Sequence, residues 1–327
     1  MQHLDLEVIE SGIRWSRMGE TLWLCTVLAT YGSSPRAPGS LLVACRDGRH
    51  AGSLSGGCVE EDFLSRLGAG DFQAPLQVVR YGESSDDQQR LKLPCGGILE
   101  VLIERMEATP GTWQHLAALQ EALHGQQRLI REVDLTTGEV DLQTEAPPGG
   151  SRDQERPRVE RQGERVRIRI GPSLRLVIAG VSPVSVACAE FARTLGFEVV
   201  VCDPREEEIE TFSVAGVERR PVLPSMYLAG EGCHASTAVV ALTHDPRIDD
   251  LAMIEAVRTP AFYIGAMGSR QTSAARAERL LRSGGLSSEE VARIHMPIGL
   301  DIGSKTPAEI ALSVMADIVR VYHGKPR

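Results

Sequence analysis

The chain has 327 residues, 42% of them hydrophobic and 24% charged, with a formal net charge of −9. That is enough chain for roughly two globular domains, each able to bury a core without disulfides or a structural metal. The negative charge argues against a nucleic-acid protein or a polybasic membrane anchor, and no apolar run approaches the roughly 20 residues that span a bilayer.

The start, MQHLDLE, lacks the charged-then-apolar order of a signal peptide. Seven cysteines at 25, 45, 58, 95, 188, 202 and 233 include no C-x-x-C pair. A reducing cytoplasm is the expectation, with neither nucleic acid nor membrane as partner.

In chain order, the periodicity of Leu6, Ile9, Ile13 and Met18 predicts a helix over 5–18. The apolar run 21–30 predicts a strand, and YGSSPRAPGS at 31–40 a loop. A second strand over 41–45 turns through Asp47 and Gly48. The segment AGSLSGGCVE at 51–60 leads into a helix that ends near Gly68. Strands are predicted at 77–81 and 97–104, then a helix after Pro110 and a hairpin through Thr137 and Gly138. Residues 144–172 read as an exposed linker with one alternating strand at 166–170. They carry seven arginines between 152 and 169, a pattern of solvated faces. The domain reading is 1–143, linker 144–172, and 173–327.

Beyond the linker, strands alternate with helices: strands at 174–179, 198–202, 237–243 and 261–264, helices at 183–195, 248–256, 270–282 and 307–322. The whole is α/β, and this half predicts a doubly wound parallel sheet of Rossmann type. Asp203 ends the second of these strands, 23 residues after Gly180, where a dinucleotide fold places its ribose-binding acid. The turn itself reads Gly180-Val181-Ser182-Pro183-Val184-Ser185, with serine at both later glycine positions of G-x-G-x-x-G. Ordinary NAD is therefore not expected as cofactor. Candidate binding groups at the other strand ends are His244 and Asp245, then Gly265, Gly268, Ser269 and Arg270, then Asp301 in a glycine-punctuated loop. Thr306 to Glu309 reads as a capping box.

Two cysteines sit beside glycine pairs, Cys58 after Gly56-Gly57 and Cys95 before Gly96-Gly97. Paired glycines expose backbone N–H groups and let a ligand approach closely. The α-helix start at Cys58 favours a thiolate, and Glu60 and Glu61 oppose it. Cys25, Cys188 and Cys202 lie in apolar elements and read as core.

The set GSSPRAPGS (32–40), GSLSGGCVEED (52–62), PCGGILEVLIE (94–104), VVVCDPR (199–205), THDPRIDD (243–250), YIGAMGSR (263–270) and PIGLDIGSKTPAEIA (297–311) resembles the XdhC/CoxI family. Those are accessory factors of xanthine dehydrogenase and related molybdenum hydroxylases. The resemblance implies an N-terminal XdhC-type α/β domain followed by a C-terminal Rossmann-like domain. It implies a maturation factor rather than an enzyme. Such a factor binds the molybdenum cofactor transiently, as molybdopterin or its cytosine dinucleotide form, holds it for sulfuration and inserts it into the hydroxylase. The implied partners are the apo-hydroxylase, a cysteine desulfurase and cofactor-biosynthesis enzymes, with a homodimer expected. Arg36, Ser55, Gly56, Gly57, Cys58, Glu60, Cys95, Gly96 and Gly97 become cofactor-binding candidates, and Cys58 and Cys95 candidate ligands to the metal. The family's G-A-G-H turn is replaced here by Gly180-Val181-Ser182-Pro183. The alternatives are an NAD-dependent oxidoreductase with a degenerate loop and a thiol redox protein using Cys58 and Cys95.

Overall fold

The structure is a computed structural model that describes residues 2–31, 36–83, 98–145, 158–230 and 233–326. The chain divides into two compact units, Met1–Ser173 and Leu174–Arg327.

The first unit contains α1 (Gln2–Arg17), β1 (Leu22–Tyr31), β2 (Leu41–Cys45), β3 (His50–Gly52), α2 (Cys58–Ala69), β4 (Leu76–Tyr81), β5 (Ile98–Met106), α3 (Pro110–Leu123), β6 (Leu129–Asp134), β7 (Val140–Thr144), β8 (Val159–Gln162) and β9 (Arg165–Ile170). An antiparallel sheet runs in the order β3-β2-β1-β5-β4. Strand β1 is covered on both faces, which is why its sequence is continuously apolar. Trp23, Cys25 and Val27 pack with Val59, Phe63 and Leu67 of α2. Leu22 and Leu24 pack with Leu6 and Ile9 of α1 and with Leu116 and Leu119 of α3. These two apolar layers fix the β3–α2 connection that leads to Cys58, the first residue of α2.

A second sheet runs β7-β6-β9-β8. Residues 159–170, expected within an exposed linker holding one strand, instead form a hairpin of two strands that belongs to this sheet. The reason is alternation. Val166, Ile168 and Ile170 are buried with Leu129 and Val133. The intervening arginines turn outward and pair with glutamates: Arg169 reaches Glu160 at 2.8 Å and Glu145 at 3.1 Å, and Arg167 lies 3.5 Å from Glu132.

The second unit contains β10 (Arg175–Ala179), α4 (Pro183–Thr194), β11 (Glu198–Cys202), α5 (Glu206–Thr211), β12 (Glu218–Arg220), α6 (Pro224–Gly230), β13 (Thr237–Ala241), α7 (Pro246–Ala256), β14 (Tyr263–Ala266), α8 (Arg270–Arg282), α9 (Ser288–Ala292), β15 (Ile294–His295) and α10 (Pro307–Tyr322). All pairings in its sheet are parallel, in the order β12-β11-β10-β13-β14-β15. The order reverses between β10 and β13, so ligands are expected beyond the carboxyl ends of these strands. Leu176 and Ile178 face α4 and α10, and Val177 and Ala179 face α7. Both faces are covered, which accounts for strands without polar alternation.

Candidate functional site

In the first unit, residues 53–57 curl around one carboxylate. Glu60 Oε1 accepts from the Ser53 hydroxyl at 2.6 Å and from the N–H groups of Leu54 at 2.8 Å, Ser55 at 3.0 Å and Gly56 at 2.9 Å. Its Oε2 accepts from the Ser55 hydroxyl at 2.7 Å and the Gly57 N–H at 2.9 Å. Burial works to raise this carboxyl. The Ser53 hydroxyl, the N–H groups of Ser55 and Gly56 and the Ser55 hydroxyl outweigh it and hold the pKa at about 2. Gly56 and Gly57, expected to turn their N–H groups toward a ligand, therefore spend them on Glu60. Arg36 is buried and donates from Nε to the Ser53 carbonyl at 3.2 Å, with the fully buried Asp5 carboxylate 3.9 Å away.

The loop ends at the first residue of α2, Cys58, which is exposed together with Gly56 and Gly57. The other described cysteines differ. Cys25, Cys45, Cys188 and Cys202 are buried and Cys233 is half-buried. Burial pushes the thiols of Cys188 and Cys202 up to about 12. Cys95, Gly96 and Gly97 lie outside the described residues. Among the described residues, no three His, Cys, Asp or Glu side chains gather in a way that would hold a metal ion.

In the second unit, Gly180 has φ +86°, and a Cβ there would lie 1.8 Å from Thr243 Cγ2. Only glycine fits a turn pressed this closely on the next strand's end. The serines that follow close the turn on itself: Ser182 caps α4 by accepting from the Ser185 N–H at 3.2 Å, and the Ser185 hydroxyl donates to the Gly180 carbonyl at 2.7 Å. Asp203 is fully buried under this turn. It accepts from the Val181 N–H at 2.7 Å, the Arg205 N–H at 2.9 Å and the Arg205 guanidinium at 2.6 and 2.9 Å. Burial opposes ionisation here, but the Arg205 side chain and the two N–H donors hold the carboxyl below its ordinary value. Asp203 is thus committed to the protein rather than presented to a ribose.

A cavity of about 620 Å³ opens along the same edge, lined by His244, Gly268, Ser269, Arg270, Asp301 and Ser313 among others. Arg270 and Asp301 are both strongly exposed and meet at 3.3 Å. Ser269 caps α8 through the Thr272 N–H at 3.1 Å. Asp245, which caps α7 and pairs with Arg247 at 2.8 Å, is not part of this lining. Gly265 is not part of it either. It is buried in β14, where a Cβ would lie 2.6 Å from Ile298, so its role is close packing.

Sequence reasoning missed what holds this edge in place. Arg276, 1% exposed, donates to Asp249 at 3.0 Å, to Asp250 at 2.8 Å and to the Met267 carbonyl at 2.8 Å. Asp249 in turn accepts from the Thr243 hydroxyl at 2.7 Å and the His244 N–H at 2.9 Å. His244 has φ +70°, a conformation this network supports. Helical spacing carried the signal: Asp249 shares a stripe with Ala252, Met253 and Ala256, and Arg276 one with Ser273 and Leu280.

The model of the XdhC and CoxI family matches residues 15–82, and that of the XdhC Rossmann domain matches residues 176–318. The chain belongs to the XdhC and CoxI family. Within it, the chain is 28% identical over 313 residues to a probable xanthine dehydrogenase subunit of Bacillus subtilis (strain 168), covering 91% of this chain and 92% of that one. It is also 28% identical over 309 residues to the molybdenum cofactor insertion chaperone PaoD of Escherichia coli (strain K12), covering 93% of this chain and 84% of that one. A crystal structure named as a xanthine dehydrogenase from Bacillus halodurans superimposes with a TM-score of 0.73 at 23% identity, over 99% and 97% of the two chains. The shared fold is thus that of the XdhC family, with the Rossmann domain as its second half. Among the described residues no helix is long and apolar enough to cross a membrane.

Proposed function

We propose that this chain is a molybdenum-cofactor maturation factor. It receives the cofactor, holds it while a cysteine desulfurase supplies the terminal sulfur, and passes it to an apo-hydroxylase of the xanthine dehydrogenase type. Family membership and the relative named as an insertion chaperone support a maturation role. The observation that carries the reading is Cys58: an exposed thiol at the head of a helix, beside two exposed glycines, on a loop locked by six hydrogen bonds to Glu60.

A thiolate is a soft ligand suited to molybdenum or to carrying a sulfur atom. Gly56 and Gly57 clear the space around it for a bulky cargo. The second unit's cavity fits a phosphate-bearing ligand, which Arg270 meets as a guanidinium donor at the head of α8.

Cys58→Ala and Cys188→Ala separate function from packing. Cys58→Ala removes an exposed side chain and is expected to change stability by about 1 kcal/mol or less. Its content of molybdenum and pterin after anaerobic purification should nevertheless fall severalfold. Cys188→Ala should show lost packing, seen as a lower melting temperature, with normal cofactor content. Full cofactor content in Cys58→Ala would overturn the assignment of this thiol.

A further inference from the structure

The first unit holds a separate cavity of about 290 Å³ between β5, α3, β6 and the β6–β7 hairpin. It lies near the lower bound of roughly 300–1,000 Å³ for small-molecule sites, which suits one small ring system and not a dinucleotide. Its walls include Leu76, Met106 and Val140, and its polar groups include Glu104, Arg131 and His115.

These polar groups are built in, not solvated. Glu104 is 5% exposed and Arg131 2%. The Arg131 guanidinium donates to Glu104 Oε1 and, from Nε, to His115 Nε2 at 3.1 Å. Burial, with the Arg131 cation beside it, holds the His115 pKa down at about 3, so the ring is neutral and accepts. Glu104 Oε2 is buried and has no hydrogen-bond partner among the described residues. A buried carboxylate oxygen left unpaired is costly, and native proteins rarely tolerate one without a ligand or water to meet it.

Charge narrows the occupant. Glu104 cancels Arg131, and at the rim Arg105 pairs with Glu107 at 2.6 Å. With both pairs balanced and His115 neutral, the cavity calls for a neutral guest. The carboxylate wants N–H donors, the adjacent guanidinium wants a carbonyl, and the apolar walls want flat faces. We propose that this cavity binds a flat heterocycle presenting adjacent N–H donors beside a carbonyl, the 2-amino-4-oxopyrimidine edge shared by pterins and guanines. The site is argued from this unit alone; the proposed function is needed only to make a pterin the natural guest.

Calorimetric titration of the full chain tests this with 6-hydroxymethylpterin, guanine and a 2,4-dioxopteridine, in which oxygen replaces the amino group. The pterin should bind, and the dioxo compound at least tenfold more weakly, because its oxygen faces the carboxylate. Glu104→Gln should lose at least tenfold in pterin affinity. Val140→Trp should do the same by filling the cavity from a partly exposed edge, with a melting temperature close to that of the parent chain. Guanine binding as well as the pterin would mark the guest as a guanine base; binding of the pterin alone marks it as a pterin. No pterin binding, equal binding of the dioxo compound, or unchanged affinity in both variants would overturn the proposal. Transfer of molybdenum from the parent chain to apo-hydroxylase reads the maturation role independently, so either reading can fail while the other stands.

Discussion

Arg276→Met is expected to destabilise the second unit by about 3–5 kcal/mol, the usual cost of removing one partner from a buried ion pair. The guanidinium is 1% exposed and joins Asp249, Asp250 and the Met267 carbonyl. Without it, Asp249 remains fully buried with no cation against it, and burial already pushes that carboxyl above its ordinary value. The loops at 243–245 and 267–270 lose their common tie. At roughly 2–4 °C per kcal/mol for a domain of this size, melting should fall by about 6–20 °C. Arg247→Met is the matching control. Its pair with Asp245 is exposed, so the change should stay within about 0.5 kcal/mol. Differential scanning calorimetry decides between the outcomes, and equal melting of the two variants would refute the role given to Arg276.

Glu60→Ala is expected to cost about 2 kcal/mol, smaller because part of the loop can rehydrate. It strips four N–H groups and two hydroxyls of their acceptor. Glu60→Gln should not rescue, since its amide nitrogen meets donors where an acceptor is required. The pH dependence has a definite sign. The folded carboxyl titrates at about 2 against 4.5 when unperturbed. Its contribution is fully present above about pH 4.5 and is lost as pH falls toward about 2. The stability gap between parent and Glu60→Ala should thus be constant near neutrality and shrink from about pH 4.5 downward in urea titrations. A gap that stays constant down to pH 2.5 would contradict the assigned pKa.

Much of the fold was legible in the sequence. The long apolar strands, the Ser182-Pro183 and Thr306-Pro307 helix starts, and the alternation of strand and helix all carry local signals. The two-strand hairpin at 159–170 was under-read because its arginines dominate the composition, while three alternating apolar residues decide the pairing. Strand order was not legible, because it depends on pairings far apart in sequence, and neither were short elements such as β12 and β15. At the candidate site, sequence marked the glycine-rich loops at strand and helix ends but not the state of their groups. Nothing local says that Glu60 fills the loop in front of it or that Asp203 is spent on Val181 and Arg205. Glu104 and Arg131 lie on different strands, 27 residues apart, and only the fold brings them into one cavity.

The most direct measurement is a transfer experiment. The chain is purified anaerobically from cells that make the cofactor, assayed for molybdenum and pterin, and mixed with apo-hydroxylase. Molybdenum and pterin should leave the chain in step with a rise in hydroxylase activity, and chain carrying Cys58→Ala should deliver severalfold less. A purified chain that carries neither molybdenum nor pterin, or activity that rises with no loss from the chain, would contradict the carrier role.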